Sequence, residues 1–219
     1  MNYLSLCDTL IKEAGLEESG VLSVTGQKDI KKKVVDWVAR AWLEIQNKRD
    51  WNFLWAEGEF STVVGENTYS PATNVVLSPD VRRWNPYSFT FTTTEGTKFY
   101  MKYVRWNNVD RTTLGNDGPV REFSIKPNNA LVFLTTPTEV GTVEFEYIRT
   151  PQILAANLDE PLLPEAYHDI ILYQAMIYLA AEQDATELYQ DAYGNLQSRL
   201  TNLAAEALPN ISIAATPLA

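Results

Sequence analysis

Apolar positions along this chain recur with two periods, and the points where the period changes divide it into three blocks. In the first block Tyr3, Cys7, Leu10 and Ala14 mark one face of a short helix that Gly15 closes. Residues 19–26 read as a loop, with Thr25 as the cap of a second helix. There Val34, Val38, Ala41, Trp42 and Ile45 recur at helical spacing, while Lys31, Lys32, Lys33, Arg40 and Glu44 lie largely off that stripe. The pattern breaks at 47–50, and Trp51, Phe53, Leu54 and Trp55 follow.

From Gly58 the period becomes two. Phe60, Thr62 and Val64 alternate with polar neighbours, and Gly65, Glu66 and Asn67 supply a turn. Further strand-like runs are 74–77, 87–94, 98–105, 121–125, 131–135 and 143–149. Pro127, Asn128 and Asn129 form a turn between two of them, since Asn tolerates left-handed backbone. Thr, Val, Phe and Tyr dominate these runs, as half-buried pleated surfaces prefer. Six or seven short antiparallel strands fit a small sandwich or barrel.

The helical period returns at Pro164. Eleven of the twelve residues 170–181 are apolar, Gln174 being the exception. A helix apolar all round has to be covered on nearly every side. It is too short to span a membrane, and the chain's few helices are expected to leave part of it bare. A neighbouring subunit would then complete the cover, with Ile170, Ile171, Tyr173, Met176, Ile177 and Tyr178 as the interface. A one-sided stripe follows: Ala185, Leu188, Tyr189, Ala192, Leu196, Leu200, Leu203 and Ala207. Pro209 ends it, leaving an apolar, uncharged tail.

The expected fold class is therefore α+β, a helical bundle built from the N- and C-terminal helices with an inserted antiparallel β-sandwich or barrel. The expected divisions are a helical core of 1–57 with 150–208, a β domain of 58–149, and an extended arm of 209–219.

Charge sharpens this picture. Net charge is −10, and residues 150–219 hold Arg199 alone against nine carboxylates. A protein that grips nucleic acid through phosphates needs a basic face, and this end of the chain is the reverse. Two readings stand side by side: a solvated acidic surface that favours solubility, or an acidic wall along which DNA slides without sticking. No run reaches the roughly 18–20 apolar residues of a membrane span, so no membrane association is expected. The opening MNYLSLCDTLIKEAG lacks the basic start and uninterrupted apolar stretch of a signal peptide. One cysteine, Cys7, excludes an intrachain disulfide and a cysteine-cluster metal site, and points to synthesis in a reducing cytoplasm.

Candidate chemistry is sparse. His168 is the only histidine, far in sequence from Cys7, so it suits a capping or core-edge role better than a nucleophile's base. Glycine-rich phosphate loops are missing, as are clusters of metal-ligand spacing, and no cofactor is expected. Glu144 and Glu146 share one strand face, the minimum arrangement for glycoside hydrolysis, but outward acidic pairs are ordinary on exposed sheets. The six tryptophans read as core, interface anchors or stacking platforms. An enzyme is not expected.

Two segments carry a resemblance. The run QNKRDWNFLWAEGEFSTVVGENTYSPA, residues 46–72, resembles the head-to-tail adaptor (connector, or head-completion) proteins of tailed bacteriophages. There a helix ends in an Arg-Asp-Trp-like segment, enters a Phe-x-Thr strand and turns into a Gly…Tyr-x-x-Pro-like element. The landmarks here are Arg49, Asp50, Trp51, Phe60, Thr62, Gly65 and Tyr69, with Pro71 closer to the Tyr than the family pattern has it. The run 160–193 is similar to the family's Pro-x-x-Pro approach to an apolar helix, acidic break and Tyr-bearing last helix. Pro161, Pro164, Tyr167, Ala175, Asp184, Tyr189 and Tyr193 carry that likeness.

The resemblance implies a structural protein of the virion neck, made in the host cytoplasm. It implies a homo-oligomeric ring, commonly twelvefold, that joins the portal protein to a tail or nozzle protein. DNA would pass through its channel during genome packaging and ejection without specific binding. It further implies a C-terminal arm that docks on the portal, here with Ile211, Ile213, Pro217 and Leu218. Combined with the acidic end, it points to Glu182, Asp184, Glu187, Asp191 and Glu206 as channel-facing carboxylates. The competing reading is a β-sandwich recognition module of a phage tail, binding a receptor or polysaccharide. It would present exposed rings on one sheet face.

Overall fold

A computed structural model describes residues 1–16, 19–71, 81–112 and 114–207 of the 219. The strand-like run 74–77 and the arm 209–219 lie outside the described residues. The chain is α+β and divides into two compact units, Met1–Leu54 with the chain from Pro151 onward, and Trp55–Thr150.

Among the described residues the first unit holds four α-helices: α1 Tyr3–Glu13, α2 Asp29–Lys48, α3 Asp169–Glu182 and α4 Thr186–Ala207. In α1 the Asn2 side chain caps the start by accepting from the Ser5 N–H at 2.9 Å, and Gly15 follows the end at φ +61°. The second helix starts later than a Thr25 cap would place it. Ser23, Thr25 and Gln27 bond among themselves, the Gln27 amide donating to the Ser23 carbonyl at 2.7 Å, which holds 23–27 as a loop. Lys28 takes the cap position without a side-chain cap bond. Val34, Val38, Ala41, Trp42 and Ile45 are fully buried, so the stripe read from sequence is the inward face. Beyond α2, Trp51 folds back and donates its indole N–H to the Ile45 carbonyl at 2.8 Å, stacking on Phe53.

Among the described residues the second unit holds eleven strands: β1 Trp55–Ser61, β2 Thr68–Tyr69, β3 Val81–Trp84, β4 Thr90–Thr92, β5 Lys98–Tyr100, β6 Lys102–Tyr103, β7 Asn116–Gly118, β8 Glu122–Ile125, β9 Leu131–Phe133, β10 Thr135–Pro137 and β11 Thr142–Arg149. One sheet runs β1-β11-β4-β5, with β3 also pairing β11; another runs β2-β9-β8-β6; β7 and β10 form a separate pair. The pairs β6·β8 and β7·β10 are parallel, so the antiparallel expectation holds for most of the ladder and not all of it. The run 98–105 breaks at Met101, where the chain leaves the first sheet and joins the second.

The two larger sheets face each other across an aromatic core. Phe60 stacks on Phe133 at 6.3 Å, and Phe89 meets Phe123 at 4.3 Å. This arrangement is a sandwich. The family-like landmarks have structural work here. The Tyr69 hydroxyl accepts from the Val63 N–H and donates to the Glu66 carbonyl, both at 2.9 Å, and so clamps the turn after β1. Gly65, at φ +83°, supplies the left-handed residue that turn requires. Buried Thr62 receives the Gly141 N–H at 2.8 Å on its hydroxyl.

Candidate assembly surfaces

The apolar helix α3 is covered largely by its own unit. It packs against α1, α2 and α4, and Ile170, Ile171, Leu172, Ala175, Met176, Leu179 and Ala180 are buried. The expectation that a neighbouring subunit completes the cover is corrected at these buried positions, where three helices from both ends of the chain supply it. Ile170, Ile171 and Met176 are therefore core residues. Tyr173, Ile177 and Tyr178 stay half-exposed, and Tyr178 is already engaged. Its hydroxyl bonds the Glu44 carboxylate, and Arg40 lies 4.6 Å over its ring. Burial and that carboxylate push its phenol well above the ordinary range.

The five acidic candidates are all exposed. Lys33 pairs with Glu182, and the Tyr167 hydroxyl donates to Glu206 at 2.6 Å. Asp184, Glu187 and Asp191 have no partner among the described residues, and Glu187 and Asp191 lie one turn apart on α4. Arg199, the one base of this segment, is held by Asp169 at 2.6 Å beside the start of α3. That contact engages the one Lys or Arg side chain that α4 itself carries. Tyr189 and Tyr193 stack in parallel on α4 with centroids 6.0 Å apart, both substantially exposed. Ile211, Ile213, Pro217 and Leu218 lie outside the described residues.

The reactive side chains are not brought together. Cys7 is fully buried in the helical unit, and burial pushes its thiol up to about 12. His168 is also buried. Its Nε2 lies 2.8 Å from the Leu163 carbonyl and its Nδ1 2.8 Å from the Met1 amino group, and burial lowers its pKa. Among the described residues no group of three or more His, Cys, Asp or Glu is placed to hold a metal, and no helix is long and apolar enough to cross a membrane. Trp42, Trp51 and Trp84 are buried, and the other three tryptophans half-buried.

Glu144 and Glu146 do share a face of β11, and that face holds what the sequence reading missed. Strand pairing sets Glu59 opposite Glu144 and Glu57 opposite Glu146. Glu57 with Glu59, and Glu144 with Glu146, each have the i, i+2 spacing of one strand face, but only the register of β1 on β11 brings the two strands' carboxylates together. Tyr87 and Tyr100, 82% and 79% exposed, line the same trough.

Among the described residues these features make a two-unit α+β protein with a carboxylate trough on the β unit and exposed acidic and aromatic positions on α4. The model of the SU10 adaptor protein family matches residues 1–212, and the chain belongs to that family of phage head-to-tail adaptors. No curated protein matches the chain in sequence.

Proposed function

We propose that this protein is a non-enzymatic ring component of the virion neck that joins the portal to the tail and surrounds the DNA path. The observation that carries the reading is the family match, which takes in both helical ends and the sandwich between them. Membership in an adaptor family supports portal and tail contacts and self-association, and a twelvefold ring is the form proposed for it by resemblance. The arm 209–219 is the portal-docking segment in this reading, through Ile211, Ile213, Pro217 and Leu218. The interface role proposed for α3 narrows to Tyr173, Ile177 and Tyr178.

The exposed carboxylates of the last helices suit a channel that must not hold DNA. Each phosphate contact adds counterion-release affinity and would act as a brake, so an acidic wall lets the duplex pass. Asp184, Glu187 and Asp191 are the strongest candidates, being exposed and without an ion-pair partner among the described residues. Electron microscopy of the purified chain, alone and mixed with its phage's portal, tests the proposal. Rings seated on the tail-facing end of the portal are expected; a chain that neither forms rings nor binds the portal overturns it.

Tyr87 and Tyr100 favour one second reading, glycan recognition by the sandwich, because exposed rings on a sheet face can stack on sugars. Saturable binding of a host surface polysaccharide, lost in Tyr100→Ala, would support it over the ring.

A further inference from the structure

The β unit carries two oppositely charged surfaces that complement each other. Glu57, Glu59, Glu144 and Glu146 occupy adjacent positions on one face of the β1–β11 ladder, like charge opposite like charge. Such pairs weaken a sheet, so folding of a single chain gains nothing from them. Lys98 pairs with Glu144, and the Asn85 amide donates to Glu146 at 2.8 Å. Glu57 and Glu59 have no partner among the described residues. The quartet lines an open trough of about 630 Å³ walled by the two exposed tyrosines. Thr90 lies beside Glu144 in the same trough; it is only 6% exposed, and its hydroxyl has no hydrogen-bond partner. Carboxylates flanked by aromatic faces, with a spare hydroxyl, are the chemistry that holds a guanidinium or ammonium group.

Matching chemistry stands by the other large sheet. Arg105 and Trp106 follow β6, and Lys126 follows β8, the parallel neighbour of β6. Arg111 and Lys126 both lie over the Trp106 ring, at 5.4 and 5.5 Å from its centroid. None of Arg105, Arg111 and Lys126 has a carboxylate partner among the described residues. Two uncompensated cations over one indole, with Arg105 next to Trp106 in the chain, thus stand against four carboxylates offset by one lysine.

We propose that the acidic trough of one copy receives the Trp106-centred basic patch of a second copy. A contact between two different surfaces of the same chain is heterologous, and it closes into a ring when its rotation divides the circle. The inference rests on the ring reading above and adds which surfaces join neighbours.

Charge reversal tests it with the full chain. One variant carries Glu57→Lys with Glu59→Lys, the other Arg105→Glu with Arg111→Glu; circular dichroism verifies that each is folded. A milder Glu57→Gln, Glu59→Gln pair serves if either reversal is not. In sedimentation velocity at low salt, the wild-type chain is expected to self-associate, and more weakly as salt rises. Each reversed chain should associate about tenfold or more weakly, and an equimolar mixture of the two should recover association, because both contacts are then complementary again. Wild-type chain that stays monomeric, reversed chains that associate like wild type, or a mixture without recovery each overturns the proposal. Rings on the portal that survive both reversals leave the adaptor reading standing and remove this interface alone.

Discussion

Gln46 and Gln152 hold each other across 106 residues of chain: the Gln46 amide donates to the Gln152 carbonyl at 3.0 Å and accepts the Gln152 N–H at 2.7 Å. The Gln46 side chain is fully buried in α2, and Gln152 lies just where the chain returns to the helical unit. The Gln152 side chain continues the network, accepting the Trp42 indole N–H at 3.2 Å and the Leu162 N–H at 3.0 Å. One glutamine thus does for the returning segment what a neighbouring strand would do. Gln46→Leu fills similar space but leaves both backbone groups unpaired, and about 1–3 kcal/mol of stability should be lost in urea unfolding. An unchanged midpoint would show that solvent satisfies these groups.

Glycine to alanine should have opposite signs at two positions. A Cβ on Gly141 would lie 2.2 Å from the Phe91 ring, within the packed sandwich core, so Gly141→Ala is expected to cost about 1–3 kcal/mol. Gly194 lies inside α4 with nothing within 4 Å of its would-be Cβ, so Gly194→Ala should stabilise by about 0.5–1 kcal/mol. Thermal unfolding of both variants checks the pair; the same sign at both positions would contradict the packing.

The Cys7 thiol is expected to resist alkylation and Ellman's reagent at pH 8 in the native protein. It is fully buried, and its pKa near 12 leaves almost no thiolate. Reaction should begin only as denaturant unfolds the helical unit. Prompt labelling without denaturant would mean that α1 opens readily.

Stability should fall as pH drops below the ordinary histidine value of 6.5, in part through His168. Burial lowers its folded pKa, so the folded state binds fewer protons than the unfolded one across that window. The contribution is full above pH 6.5 and is lost as pH falls through the folded pKa. His168→Gln removes the titration, so the drop in unfolding midpoint between pH 7.5 and 5.5 should be smaller in the variant. Equal drops would assign the whole effect to carboxylates.

Fluorescence anisotropy with a labelled duplex should register negligible DNA binding at moderate salt, given net charge −10 and the exposed carboxylates of Asp184, Glu187 and Asp191. Tight binding that weakens steeply with salt would reverse the sign of the proposed channel wall.

The periodicities determined the helices and the α+β class, because a stripe such as Val34, Val38, Ala41 and Ile45 buries only as a helix and the 143–149 alternation only as a strand. The resemblance carried by 46–72 and 160–193 pointed to the adaptor family before any contact was known. The short strands Thr68–Tyr69, Val81–Trp84 and Asn116–Gly118 left no alternating pattern, being two to four residues long and fixed by their partners. The sequence could not say what covers α3, since an apolar helix looks the same beside its own chain as beside a neighbour. Nor did it reveal the acidic trough: Glu57 and Glu59 lie about 85 residues from Glu144 and Glu146. Only the register of β1 on β11 decides that these four carboxylates meet, because a one-residue slip would turn one pair to the opposite face.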